Sequence, residues 1–195
     1  MFDLLILSLA FMIHLWALPY SFKNLFIDSI VGFVQLAFAL AIILTSSPAF
    51  LAPTPKGRIT GAGVGVSCMA VQLLHFRGAR IAAATLTRTF ILSQLLILFF
   101  FVPVEEIFYR GVFFARLTSI WGTFTAIVIS TALSTMLTVV SSRKPLVWIG
   151  SAAMGILCAL GFYYSQSLWA PVLIRMGNEI GYQTLNEPRD LFQRG

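Results

Sequence analysis

Apolar runs long enough to cross a lipid bilayer follow one another along almost the whole chain, with little polar sequence between them. Of the 195 residues, 58% are hydrophobic and only 10% are charged. A soluble domain carries about a quarter charged residues because its surface must be solvated. This chain lacks the charge to cover a water-facing sphere. Crossing a bilayer takes about 20 helical residues, since every backbone polar group must be satisfied within the segment. The expected fold is all-α, a polytopic transmembrane helical bundle of about six to eight helices.

Measured by that ruler, residues 4–21 and 29–51 are the first two spans, and the Pro-rich "SSPAFLAPTPKGR" ends the second. Residues 60–76 are apolar and rich in small residues, fitting either a closely packed span or a re-entrant segment. Residues 81–102 form a strong span. Pro103 suits the first turn of a new helix, which would hold Glu105 and Glu106 near its positive end. Residues 104–118 are then a separate helix or a kinked continuation, followed by spans over 120–140 and 146–164 and a more polar helix over 167–185. The polar tail, 186–195, is expected to be mobile. No internal repeat or second domain is visible, so residues 1–195 read as one integral membrane domain.

Several function classes drop out. The formal charge is +6, but the basic residues are scattered between apolar runs, which is how headgroups are served at membrane edges. A nucleic-acid footprint would be a cluster on one polar face. Cys68 and Cys158 lie in apolar runs with no CxxC or Cys/His spacing, and no metal or other cofactor is expected. "GAGVG" lacks the context of a nucleotide loop and reads as small-residue helix packing. The N-terminal run has no basic n-region and reads as a retained span, which leans toward a prokaryotic plasma membrane. The oligomeric state is left open.

Charge at membrane depth is the exception that asks for a reason. Of seven acids, Glu105 and Glu106 stand together in "FFFVPVEEIFYRGVFF", and Glu179 lies in the last apolar helix. Each such group costs roughly 2.5–3.5 kcal/mol on insertion scales and marks pairing or function. Glu106 and Arg110 are four apart, acid first, the favourable order for an ion pair on a helix. Glu105 points about 100° away and is left without a local partner. Arg175 and Glu179 are also four apart and can pair with each other.

"EEIFYRGVFF" resembles the EExxxR motif of the CPBP family, the CAAX-processing and bacteriocin-processing (Abi) intramembrane proteases. "SLWAPVLIRMGNEI" resembles that family's last motif, of the type WAPIxxHxxxN, and "AIVISTALSTMLTVV" occupies the place of its FxxxH motif. The resemblance covers about residues 85–185. It implies that Glu105 is a general base activating water for peptide-bond hydrolysis within the membrane, supported by Glu106 and Arg110. A histidine would share that task, and a later His and Asn would hold the oxyanion and the substrate carbonyl. Carried over, these positions fall on Thr138, Arg175 and Glu179, with Asn178 one residue before the last; both histidines are replaced. The expected partner is a membrane protein or lipid-associated peptide substrate within the lipid bilayer.

Threonine cannot take a histidine's place in proton transfer, a contribution worth about 10²–10⁴ in rate. Arg175 is a permanent cation; it can bind an oxyanion, or bridge to Glu105 and occupy the base. Two readings follow: an intramembrane endopeptidase with reduced or lost activity, and a non-catalytic membrane binding or scaffold protein that retains the fold.

Overall fold

The computed structural model describes residues 52–75, 79–81, 88–141, 145–186 and 192–194, with isolated helical positions between Leu5 and Met12 and between Phe33 and Ala41. Apart from those positions, the spans expected over 4–21 and 29–51 lie outside the described residues, as do the side chains of His14, His75 and Arg88.

Helix α1 is Pro55–His75. It begins five residues ahead of the expected segment because Thr54 caps it. The Thr54 hydroxyl accepts the Gly57 N–H at 3.0 Å, and Pro55 follows at the first helical position, where a missing N–H costs nothing. At 21 residues α1 is one continuous helix.

From Arg88 the backbone stays helical through α2 (Arg88–Leu96), a π-helical stretch (Ile97–Phe101), α3 (Val102–Glu106), a second π-helical stretch (Ile107–Phe114) and into α4 (Ala115–Ser141). The helix expected to restart at Pro103 therefore does not restart, and residues 104–118 are the continuation. Proline cannot donate to the ladder, and its ring crowds the carbonyl four residues back. The π turn ahead of it takes up that conflict: the Val102 N–H reaches back five residues to the Ile97 carbonyl. With no free helix end there, the two glutamates have no positive terminus to lean on. Their partners are side chains.

The true break comes at Gly122, inside α4, where φ is 82° and ψ 167°. That region is essentially reserved for glycine. It falls close to the boundary expected at residue 120. Helices α5 (Pro145–Ser165) and α6 (Trp169–Asn186) follow, joined by a tight turn in which Gln166 adopts φ 51°. Strand β1 (Ala79–Ile81) pairs antiparallel with β2 (Phe192–Arg194), so part of the tail expected to be mobile is tied to the loop after α1. The other described residues are helical apart from 52–54 and the turn at 166–168.

Two interfaces shape the bundle. On α1, Gly57, Gly61 and Gly65 recur every four residues and face α6. A Cβ on Gly61 would lie 2.9 Å from the Ala170 backbone, and one on Gly177 would run into the Gly65 carbonyl. The contacts climb together along both helices, from Gly57 against Ser167 to Gln72 against Gly181, so α1 and α6 run parallel. This is the small-residue packing expected for "GAGVG", in which backbones close up where lipid offers no hydrophobic drive. The second interface is antiparallel. Gly155 of α5 lets Thr131 and Ser134 of α4 approach to 2.9 and 3.1 Å of where its Cβ would be.

Between them lies an aromatic core. Phe108–Phe114 are buried on all sides and pack with Leu117, Leu133, Ala159 and Phe162, with Phe114 edge-on to Phe162 at 5.5 Å. The exterior is apolar as well: Ile59, Leu74, Phe99, Phe124, Leu146, Ile149 and Tyr164 are all exposed. Among the described residues, α5 is the helix long and apolar enough to cross a membrane by length and composition.

Replacing Gly65 by Val should drive α1 off α6 and cost about 1–3 kcal/mol or more through overpacking. The same change at Gly63, where a Cβ meets nothing within 4 Å, should be nearly neutral. Thermal unfolding of the two variants in one detergent checks the contrast.

Candidate functional site

The charged residues converge on one point between α3, its π-helical continuation, α5 and α6. Glu106 and Arg110 are both fully buried, with Arg110 Nε 3.3 Å from Glu106 Oε2. The four-residue spacing read from the sequence accounts for this pair. Arg110 also reaches across to α5, where its Nη2 donates to the Gly155 carbonyl at 2.8 Å. A side chain on residue 155 would stand where α4 packs, so the glycine serves two purposes: it seats α4, and it leaves its carbonyl within reach of the guanidinium.

Arg175 enters from α6 and answers the question of its partner. Its Nη2 donates to Glu105 Oε2 at 2.8 Å, its Nε to Glu179 Oε1 at 3.4 Å, and its Nη1 stands 3.6 Å from Glu106 Oε1. The two pairings open in the sequence, with Glu105 or with Glu179, are made together. This triad is partly open: the side chains of Glu105, Arg175 and Glu179 are 27%, 20% and 16% exposed. The partial exposure is what distinguishes it from the sealed Glu106–Arg110 pair beneath.

The remaining candidates have other engagements. Asn178 Oδ1 accepts from Gln72 Nε2 at 3.0 Å, which ties α6 to α1. Thr138 Oγ1 and Ser151 Oγ lie 2.9 Å apart and join α4 to α5. Ser151 precedes Gly155 by one helical turn, so this contact lies about 6 Å along α5 from the Arg110 bond. Gln72 and Gly155 were not singled out in the sequence, although a glutamine inside an apolar run is a legible signal. A lone glycine in "SAAMGIL" is not.

Local structure places α6 so that Arg175 meets the acids. Ser167 Oγ donates to the Ala52 carbonyl at 3.0 Å and accepts the Trp169 N–H at 3.4 Å, so one hydroxyl anchors the start of α6 to the segment before α1. Pro171 fits in the first turn, where N–H groups have no helical acceptor in any case. At the same end Lys56 Nζ lies 4.3 Å over the Tyr164 ring, and Tyr163, Tyr164 and Trp169 are exposed. Amphipathic aromatics with a lysine are the residues that sit at a membrane–water interface. Six residues into α6, Arg175 is about 9 Å below that level.

Such a constellation, charge held in the interior of an apolar-surfaced helical bundle, is that of a membrane-embedded protein with a polar site. Residues 87–181 match the family model described as type II CAAX prenyl endopeptidase Rce1-like. The match supports a member of the CPBP/CAAX protease family, whose members are membrane-embedded. The match reaches from the start of α2 into α6 and agrees with the 85–185 read from the motifs. No curated protein and no solved structure matches the chain.

Removing one member of the sealed pair strands the other. Glu106→Gln or Arg110→Met should each cost about 3–5 kcal/mol, as for a broken buried ion pair, and the double variant should lose much less than the sum. A double-mutant cycle on unfolding midpoints in detergent reads the difference.

Proposed function

We propose that this chain is a CPBP-type membrane protein, one bundle of six to eight spans, that holds a membrane protein or lipid-associated peptide without efficient cleavage. The observation that carries this reading is the 2.8 Å bond from Arg175 to Glu105. The family resemblance assigns Glu105 to water activation and position 175 to a histidine. A guanidinium has donors only and does not release its proton in a protein. It therefore engages a carboxylate oxygen that a general base needs free. Thr138, at the position of the histidine that shares water activation, cannot carry positive charge and supplies no proton shuttle. The loss of general acid–base help at position 138 amounts to about 10²–10⁴ in rate.

A second reading has one observation in its favour. Glu105 is still 27% exposed, so one face of it meets the surroundings. A slow peptidase would then use Glu105 on water and Arg175 on the oxyanion, since a fixed cation stabilises developing negative charge.

Mass spectrometry of protein termini in cells separates the two. With wild type and Glu105→Gln the termini should be the same, and both proteins should restore a deletion phenotype equally. A peptide terminus that appears with wild type and disappears with Glu105→Gln would establish the peptidase instead. Restoring histidines, as Arg175→His with Thr138→His, should free Glu105 and raise cleavage above the wild-type level.

A further inference from the structure

Beneath the open triad, the structure leaves a set of sealed polar atoms without hydrogen bonds: both Glu106 carboxylate oxygens, Arg110 Nε and Nη1, and the hydroxyls of Thr131 and Thr135. Buried polar atoms in native proteins almost always have a partner, and each exception asks for a physical cause. The two threonines make the case specific. Helical hydroxyls without a tertiary partner fall back on a carbonyl of their own preceding turn. Thr118 does so on the Phe114 carbonyl at 2.8 Å, and Ser134 on the Thr131 carbonyl at 3.0 Å, both on α4. Thr131 and Thr135, one turn apart on the same helix, forgo that acceptor.

The two groups of atoms meet around Gly155. Arg110 Nη2 is bonded to the Gly155 carbonyl, while the Thr131 side chain packs where a Cβ on that glycine would be. The Arg110 guanidinium and the Thr131 side chain, whose methyl group faces the glycine, thus flank one residue of α5.

We propose that Glu106, Arg110, Thr131 and Thr135 form an internal water-binding site in the α4–α5 seam. Water is the ligand whose chemistry matches the donor set. It accepts from Arg110 Nη1, donates to a Glu106 oxygen and exchanges either role with a hydroxyl, giving the two to four partners a buried water requires. An anion would face the Glu106 carboxylate, and a metal cation would face the Arg110 guanidinium. The site hydrates the ion pair from inside, on the side away from Arg175, and does not depend on whether the open triad cleaves anything.

Water-edited solid-state NMR on arginine-¹⁵N-labelled protein in lipid tests this, with Arg110 assigned by comparison with Arg110→Lys. Magnetisation should pass from water to the Arg110 guanidinium although that side chain is fully buried. Thr131→Val, which keeps the shape and removes the hydroxyl, should abolish or sharply weaken that transfer, and Thr135→Val should reduce it. Transfer to the partly exposed Arg175 is the internal control and should survive both changes. Absence of transfer at Arg110 while Arg175 shows it would overturn the proposal. So would transfer indifferent to both valines. Unfolding gives an independent reading: removing a dry, unpaired hydroxyl is neutral or stabilising, whereas removing a water ligand lowers the midpoint.

Discussion

The buried Glu106–Arg110 pair is the constraint around which this bundle is arranged. Two charges taken out of water lose more solvation than their attraction returns unless further hydrogen bonds are supplied. Helix α5 supplies one, the Gly155 carbonyl that accepts from Arg110, and α6 adds the Arg175 guanidinium 3.6 Å from Glu106 Oε1. The pair lies in the buried stretch Phe108–Phe114 and the turn before it, with the Arg110 guanidinium 5.8 Å from the centre of the Tyr109 ring. Each packing decision nearby, from the glycine at 155 to the π-helical backbone around Arg110, serves to bring a partner to a charge that cannot leave.

Arg175 changes the character of the open half of the site. A histidine in its place would be neutral for part of the time and able to exchange a proton; a guanidinium is neither. It gathers Glu105, Glu106 and Glu179 into one network and so links α3 to α6 by electrostatics as well as packing. The position that the family resemblance gives to a histidine at the oxyanion is occupied here by a residue that ties two helices together. The same substitution that weakens the case for hydrolysis strengthens the bundle's closure around the acids.

Much of this was legible from residue types alone. The four-residue spacing of Glu106 and Arg110, the small-residue repeat in α1 and the break near residue 120 all follow from local rules, and the structure keeps them. The restart at Pro103 was misread because proline's cost is usually settled by ending a helix, whereas here a π turn absorbs it. The Gly155 carbonyl was out of reach for a different reason: a backbone acceptor carries no side-chain signature, and its role exists only once α5 lies beside the second π-helical stretch. Whether Arg175 would choose Glu105 or Glu179 also could not be read along the chain, because Glu105 is seventy positions away and only the fold sets that distance.

The glycine seam between α1 and α6 carries one more implication. Helix α1 lies entirely outside residues 87–181, yet it covers the α6 backbone so closely that Gly177 has no room for a methyl group. The matched segment is thus smaller than the cooperative unit. Cut out by itself, it would expose a notched, glycine-lined flank of the helix that bears Arg175, with neither side chains to fill it nor a neighbour to seal it. The boundary of shared ancestry and the boundary of independent folding do not coincide here, and a fragment designed on the first would lack a wall of the second.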